Sequence, residues 1–508
     1  MGTPATRSSS RTWLTAAIAN AVVLVMFPGS MVSPALAQVR AATPTLTGEI
    51  GHAQLMNHLF PGAKPEAQST VPVIPQTELD LDPTGGVGSF QPNGPTTTAV
   101  NAFFQSLGTN GRTCFTCHQP QDGWTISVSD IRARFNADPT DPLFQVIDGA
   151  TCPNADVSTQ AAQLNAYQLL LTKGLIRIGL PLPPGLQFKI TSVNDPYNCN
   201  NNPTTGLTSP TTGVVSTYRR PLPTTNLGFL TTIMWDGREP SLSSQAADAT
   251  LIHAQATAPP TQAQLQQFTG FELGVFAAQE YDNKALYLDD GVSGGPVNLS
   301  RLVSGFFIGI NHADPTAGAF NPLIFNLYNA WSNLQGQSRQ INQQESIARG
   351  QSLFNTMPIN ITGVAGLNDV LGQPTIVGTC GTCHDTPDVA NHSLNALFNT
   401  GVTGAGATQP SPLETGGLPV FNVTCTWGAL AGQTFQFTDL GLATITGSCA
   451  DLGKIKVPIL RGLAARAPYF HNGTAPNLNY VVDFYNNRFN IGFTDQQETD
   501  LVNFLNSL

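Results

Sequence analysis

The chain has 508 residues, more than one hydrophobic core usually organises, so two or three domains are expected. Only 11% of it is charged, while Gly, Pro, Thr, Asn and Gln abound, which describes a loop-rich globular protein more than a charged helical bundle. The formal net charge is −10 and no cluster of Lys and Arg could follow a phosphate backbone, which excludes nucleic acid as a partner.

At the N-terminus Arg7 and Arg11 precede an apolar stretch from Trp13 to Phe27 and then Ser33-Pro34-Ala35-Leu36-Ala37 before Gln38. These are the three regions of a secretory signal, with residues 1–37 removed after Ala37. Asn20 and Pro28 shorten the apolar run below the ~20 residues that a spanning helix needs. No later stretch is long and apolar enough, so the expected product is periplasmic or secreted, without stable membrane insertion. Residues 38–97 are rich in Pro, Thr and Gly and read as an extended arm or linker in which His52 and His58 are solvated side chains.

A first domain is expected over residues 98–342. A short helix from Ala99 to Leu107 leads through Gly108-Thr109-Asn110-Gly111 into Cys114-Phe115-Thr116-Cys117-His118. Apolar residues at helical spacing predict further helices over Ser158–Leu171, Gln262–Phe268 and Leu302–Ile308, with proline-rich breaks at 181–184 and 203–210. A second domain is expected over residues 343–508. Its amphipathic helix over Ser346–Phe354 precedes Cys380-Gly381-Thr382-Cys383-His384, and it closes with helices over Leu478–Arg488 and after the capping pair Thr494 and Gln497.

Two thiols separated by two residues can each add to one vinyl group of a single porphyrin, and the adjacent histidine then lies under the iron. With 8 Cys and 8 His in the chain, on the order of 0.002 such pentads are expected by chance. Two are present. A zinc site does not require histidine as the very next residue, and a thioredoxin-type dithiol calls for a βαβ unit that the pattern lacks. The motifs therefore predict two covalent c-type haems, held by Cys114, Cys117 and His118 and by Cys380, Cys383 and His384. The expected fold is mainly α with long irregular loops, in two cytochrome c-like haem domains.

The other four cysteines, Cys152, Cys199, Cys425 and Cys449, suggest disulfides in an oxidising compartment. Sequence neighbours favour Cys152 with Cys199 and Cys425 with Cys449, other pairings remaining open. Of the methionines, Met1, Met26, Met31, Met56, Met234 and Met357, none follows the second motif, so its iron has no downstream methionine ligand. No histidine lies between His118 and His253, which leaves the first iron open to peroxide or oxygen. His312 and His392 are read as local hydrogen-bonding groups. Lys454, Lys456 and Arg461 are candidates to neutralise haem propionates.

The run Lys456-Val457-Pro458-Ile459-Leu460-Arg461, then Ala467-Pro468-Tyr469-Phe470-His471-Asn472-Gly473, together with Trp235-Asp236-Gly237-Arg238, resembles the signatures of bacterial dihaem cytochrome c peroxidases and MauG-type enzymes. The similarity spans residues 98–508, with longer spacing between motifs than is typical. It implies that peroxide reacts at the His118 haem, that the His384 haem relays electrons, and that Trp235 lies between them. In Asp483-Phe484-Tyr485-Asn486 it points to Tyr485 as sixth ligand of the second haem. His471 is the alternative, since the related rubber-cleaving oxygenases have a bis-histidine haem. Gln245 matches a distal glutamine. The acidic residue expected later is out of register, where His253-Ala254-Gln255 stands, so His253 and Glu272 become the candidates to move a proton during O–O cleavage. The resemblance also implies a small electron-donor protein (a cytochrome c or a cupredoxin), a homodimer, and a Ca2+ ion with the carbonyl of Pro468 among its ligands. Two other readings stay open: a plain electron carrier with both irons six-coordinate, and an oxidase or oxygenase of an organic or protein substrate. The stretch Asn360-Ile361-Thr362-Gly363-Val364-Ala365-Gly366-Leu367-Asn368 is similar to the rubber-oxygenase branch.

Overall fold

A computed structural model describes residues 73–405 and 415–508. The signal segment, His52 and His58 lie outside the described residues. Helix accounts for 31% and strand for 19%, the strands forming several small antiparallel sheets. The expectation of a mainly α chain in two cytochrome c-like haem domains is therefore overturned. The reason lies in short alternating runs such as Thr77-Glu-Leu-Asp-Leu-Asp82 and Val420-Phe-Asn-Val-Thr-Cys425, which bury one face by pairing with distant partners.

Residues 77–90, within the segment read as an arm, supply two strands to a four-stranded sheet. Its order is Leu286–Tyr287, Phe276–Asp282, Gly85–Phe90 and Thr77–Asp82. The interior strand begins with glycine because a Cβ on Gly85 would stand 2.0 Å from the carbonyl oxygen of Tyr281. A three-stranded sheet joins residues far apart in sequence: Phe188–Asn194 pairs with Val420–Cys425, which pairs with Thr434–Phe437. Phe188, Ile190, Val215, Phe421, Phe437 and Leu440 form the core beneath it. Disulfides join Cys152 to Cys199 and Cys425 to Cys449, the neighbour pairing.

Helices that the spacing predicts are present around the second motif but longer. One spans Arg339–Thr356 and crosses the last helix, Asp495–Asn506, where a Cβ on Gly350 would meet the carbonyl oxygen of Asp500 at 2.0 Å. At the same crossing Ser346 donates to Asp500 at 2.6 Å and Arg349 at 2.8 Å. The Thr494–Gln497 capping box forms. Elsewhere the pattern misleads. The first short helix is a pair of 3-10 turns, and Leu302–Ile308 yields only the turn Val303–Gly305, because Phe307 and Ile308 are exposed and find no core to cover them. No helix among the described residues is long and apolar enough to cross a membrane.

Candidate functional site

Each Cys-Xaa-Xaa-Cys-His pentad begins on a 3-10 turn, Cys114–Thr116 and Cys380–Thr382. The two turns are built alike. In the first, the Thr116 hydroxyl accepts from the Thr113 N–H at 3.0 Å; in the second, Thr382 accepts from Thr379 at 2.9 Å. The four motif cysteines are free thiols, whereas the other four are paired. His118 Nδ1 lies 3.0 Å from the carbonyl oxygen of Trp124, and His384 Nδ1 lies 2.8 Å from that of Ala390. An Nδ1–H donated to a carbonyl leaves Nε2 as the free, electron-pair-bearing nitrogen. Burial pushes both imidazoles down to about 4, so they are neutral, as a metal ligand requires.

Both histidines and their cysteines open onto cavities. The first is bordered by Cys114, Cys117, His118, Gln245, His253 and Glu272. The second is bordered by Cys380, Cys383, His384, His471 and Tyr485. Paired thiols beside a neutral imidazole fit a covalently held porphyrin. The motif cysteines and histidines, Trp235, Gln245, His253, Glu272, His471 and Tyr485 thus each border at least one of the two cavities. Gln255 borders neither.

Trp235 borders both cavities. Its indole N–H donates to the carbonyl oxygen of Arg220 at 2.8 Å, and its own carbonyl accepts from the Lys456 N–H at 2.8 Å. Its ring lies edge-on to that of His471, with centroids 6.1 Å apart. The neighbouring Asp236 is buried and held by Arg219 at 2.5 Å, and Arg219 also binds Asp439 at 2.7 Å. That ion triad ties the Trp-Asp-Gly-Arg segment to the chain beyond residue 343.

Along the first cavity, Gln245 sits in the helix Leu242–Ile252 and His253 caps its C-terminal end. His253 Nδ1 is 2.6 Å from a carboxylate oxygen of Asp148, which also meets Arg112 at 2.6 Å. Burial opposes the charge on Asp148, but the Arg112 guanidinium and the bond to His253 outweigh it and hold the carboxyl below the usual range. Glu272 lies in the helix Gln262–Gly274 beside Phe268 and Phe271. It is 4% exposed, its Oε2 has no hydrogen-bond partner, and burial pushes it up to about 8.

In the second cavity burial pushes Tyr485 up to about 12, and its ring packs against Phe470, Phe484 and Phe489. His471 is 1% exposed and neither ring nitrogen has a hydrogen-bond partner; Nε2 is 3.7 Å from Asp439. His312 Nδ1 accepts from the Asp314 N–H, whereas His392 Nδ1 lies 3.1 Å from Asp385 without forming a hydrogen bond. Lys454 pairs with Asp451 and Arg461 donates to the carbonyl of Asp388, so of those three cations only Lys456 borders the cavities. Among the described residues no three His, Cys, Asp or Glu side chains are arranged to hold a metal ion, and no calcium ligand set is assigned. Asp148, Arg112 and Arg220 were not singled out from sequence, since no motif marks them.

No family model matches the chain. Segments of it are similar to cytochrome-c peroxidases. Cytochrome-c peroxidase IdrP2 of Denitromonas iodatirespirans is 33% identical over 138 residues, which cover 26% of this chain and 36% of that protein. Cytochrome-c peroxidase IdrP1 of the same organism is 28% identical over 146 residues, 25% of this chain and 36% of that protein. The chain thus spans about a third of the length of these relatives. A crystal structure of a MauG-like protein associated with microbial copper homeostasis aligns over 80% of this chain and 87% of that one, at 14% identity and a TM-score of 0.32.

Proposed function

We propose that the protein is an exported dihaem c-type oxidoreductase that reduces hydrogen peroxide at the His118 centre, with electrons relayed through the His384 centre. The observation that carries this reading is the placement of Trp235 on the border of two cavities, each with its own Cys-Xaa-Xaa-Cys-His pentad. The likeness to segments of cytochrome-c peroxidases supports it.

In this reading the first centre belongs to residues 98–342 and the second to residues 343–508. Cys114 and Cys117, and Cys380 and Cys383, form the thioether links, and His118 and His384 are the iron ligands. When bound, the haems supply the electrons and an iron position for peroxide. The protein supplies orientation and protons. Gln245 offers an amide to hydrogen-bond the peroxide. His253, whose Nδ1 is taken by Asp148, has Nε2 free to accept the proton from one peroxide oxygen and return it to the other. Glu272, neutral below about pH 8, is a second proton source on the same cavity wall. The overall balance is one peroxide, two electrons and two protons to two waters, the electrons coming from a small donor protein. Trp235, wedged between the cavities by its bonds to Arg220 and Lys456, shortens the electron path. Tyr485 would help to hold the second haem through its phenol oxygen; the two unpartnered nitrogens of His471 make His471 its rival.

Mixing the reduced protein with stoichiometric peroxide under anaerobic conditions tests this directly. The expected result is fast oxidation of both haems, two electrons per peroxide. Should neither haem respond to peroxide, carbon monoxide or cyanide, the chain is an electron carrier and the peroxidase reading falls.

A further inference from the structure

Two methionines stand among the described residues, Met234 and Met357, and both side chains are partly buried. Their surroundings differ. Met234 borders the first cavity together with His118, Gln245 and His253, whereas Met357 borders neither cavity. Outside the pentad, the Met234 sulfur is the only one among the described residues on that cavity wall, and no tyrosine borders it.

The backbone explains how this side chain reaches the wall. Consecutive side chains of an extended chain point to opposite sides. At Met234 φ is +65°, in the left-handed region that a residue with a Cβ rarely adopts. The chain turns here, the Gly237 N–H donating to the Met234 carbonyl at 3.3 Å and Ile233 pairing with Glu239. Met234 and Trp235, though adjacent, therefore both border the first cavity. Strain of this kind persists where the surrounding structure over-determines it, and here it delivers a soft, oxidisable sulfur to the space where the proposed function puts peroxide.

We infer that Met234 is the site of an internal oxygen transfer: when no electron donor is present, peroxide held in the first cavity oxidises the Met234 thioether to the sulfoxide. This rests on the peroxide reading above and adds a fate for peroxide that draws no electron from the second centre. A sulfur lone pair forms the S–O bond as the O–O bond breaks. The other oxygen leaves as water with both peroxide protons, His253 passing the proton across. Sulfur loses two electrons and peroxide gains two, so no further reductant enters. The product is a polar, chiral group beside Trp235, on a wall that Leu230 and Ile233 otherwise make apolar.

The test is peptide mass spectrometry on the intact haem-loaded protein, held ferric and given a small excess of hydrogen peroxide without a donor. The expected result is a gain of about 16 Da, one oxygen atom, on the peptide holding Met234 and none on that holding Met357. Met357, partly buried like Met234 but away from both cavities, reports oxidation by peroxide in bulk solution. Cyanide added first, to occupy the open iron, is expected to abolish the gain at Met234. Equal gains at both methionines, or a gain at Met234 that cyanide leaves unchanged, would overturn the inference. Visible spectra of the same samples separate the two ways of failing. Haems that respond to peroxide while Met234 keeps its mass sink the oxygen transfer alone, whereas haems that ignore peroxide bring down the functional reading with it.

Discussion

Asp148 and His253, separated by 105 positions in the chain, meet at 2.6 Å on the wall of the first cavity. The carboxylate fixes the imidazole through Nδ1, while Arg112, two residues before Cys114, anchors the carboxylate from its other side. In the proposed function His253, so held, is the proton-moving candidate at the place where the resemblance called for an acid. The H253Q variant is therefore expected to bind haem normally and to react with peroxide about 10²–10⁴ times more slowly, as read by stopped-flow absorbance. In D148N the buried Arg112 loses its partner, so a loss of about 3–5 kcal/mol in chemical denaturation should accompany the slower reaction.

Glu272 makes stability depend on pH with a definite sign. Its folded value, about 8, lies above the ordinary 4.5, so its contribution is complete below pH 4.5 and is lost as the pH rises towards 8. Replacing it by glutamine removes that loss. Thermal melts of E272Q and the parent should coincide near pH 4.5, and the variant should gain on the parent at each step up to pH 8. Parallel melting curves across that range would contradict it.

At the second centre Tyr485 and His471 give opposite expectations for one experiment. With Tyr485 on the iron, Y485F changes the EPR signal of the second haem and H471Q leaves the ligand field intact. With His471 on the iron, the two variants exchange outcomes. A spectrum indifferent to both would remove both from coordination.

The Arg219 triad is expected to matter for folding more than for chemistry. It is 2% exposed and serves two buried carboxylates, Asp236 and Asp439. R219M leaves Asp439 without an arginine and Asp236 with Arg238 alone, at an expected loss of about 3–5 kcal/mol in urea unfolding. The double variant R219M/D439N should recover part of that loss, since one uncompensated charge is gone.

Some features were legible because they are local. The pentads, the Thr494–Gln497 capping box and the helix before the second motif depend on neighbours a few residues apart, and short-range sterics decide them. The disulfide partners followed chain order, each cysteine pairing with the nearest one outside the two pentads, although nothing local excluded the other pairings. The mainly α expectation failed because strand pairing is long-range. Nothing in Phe188–Asn194 announces Val420–Cys425 as its partner, and the apolar run Leu302–Ile308 imitates a helix although no core waits for it. Glu272 could be suspected from its apolar flanks, whereas Asp148 could not, since its meaning comes from His253.

By itself the sequence determined two Cys-Xaa-Xaa-Cys-His pentads, four thiols and two imidazoles at the spacing of a c-type haem motif, and the absence of methionine after the second pentad. The tertiary structure alone decided which groups surround those positions. It brought Trp235 to the border of two cavities and Asp148 to His253, because burial and charge act through space between residues that the chain separates by tens or hundreds of positions.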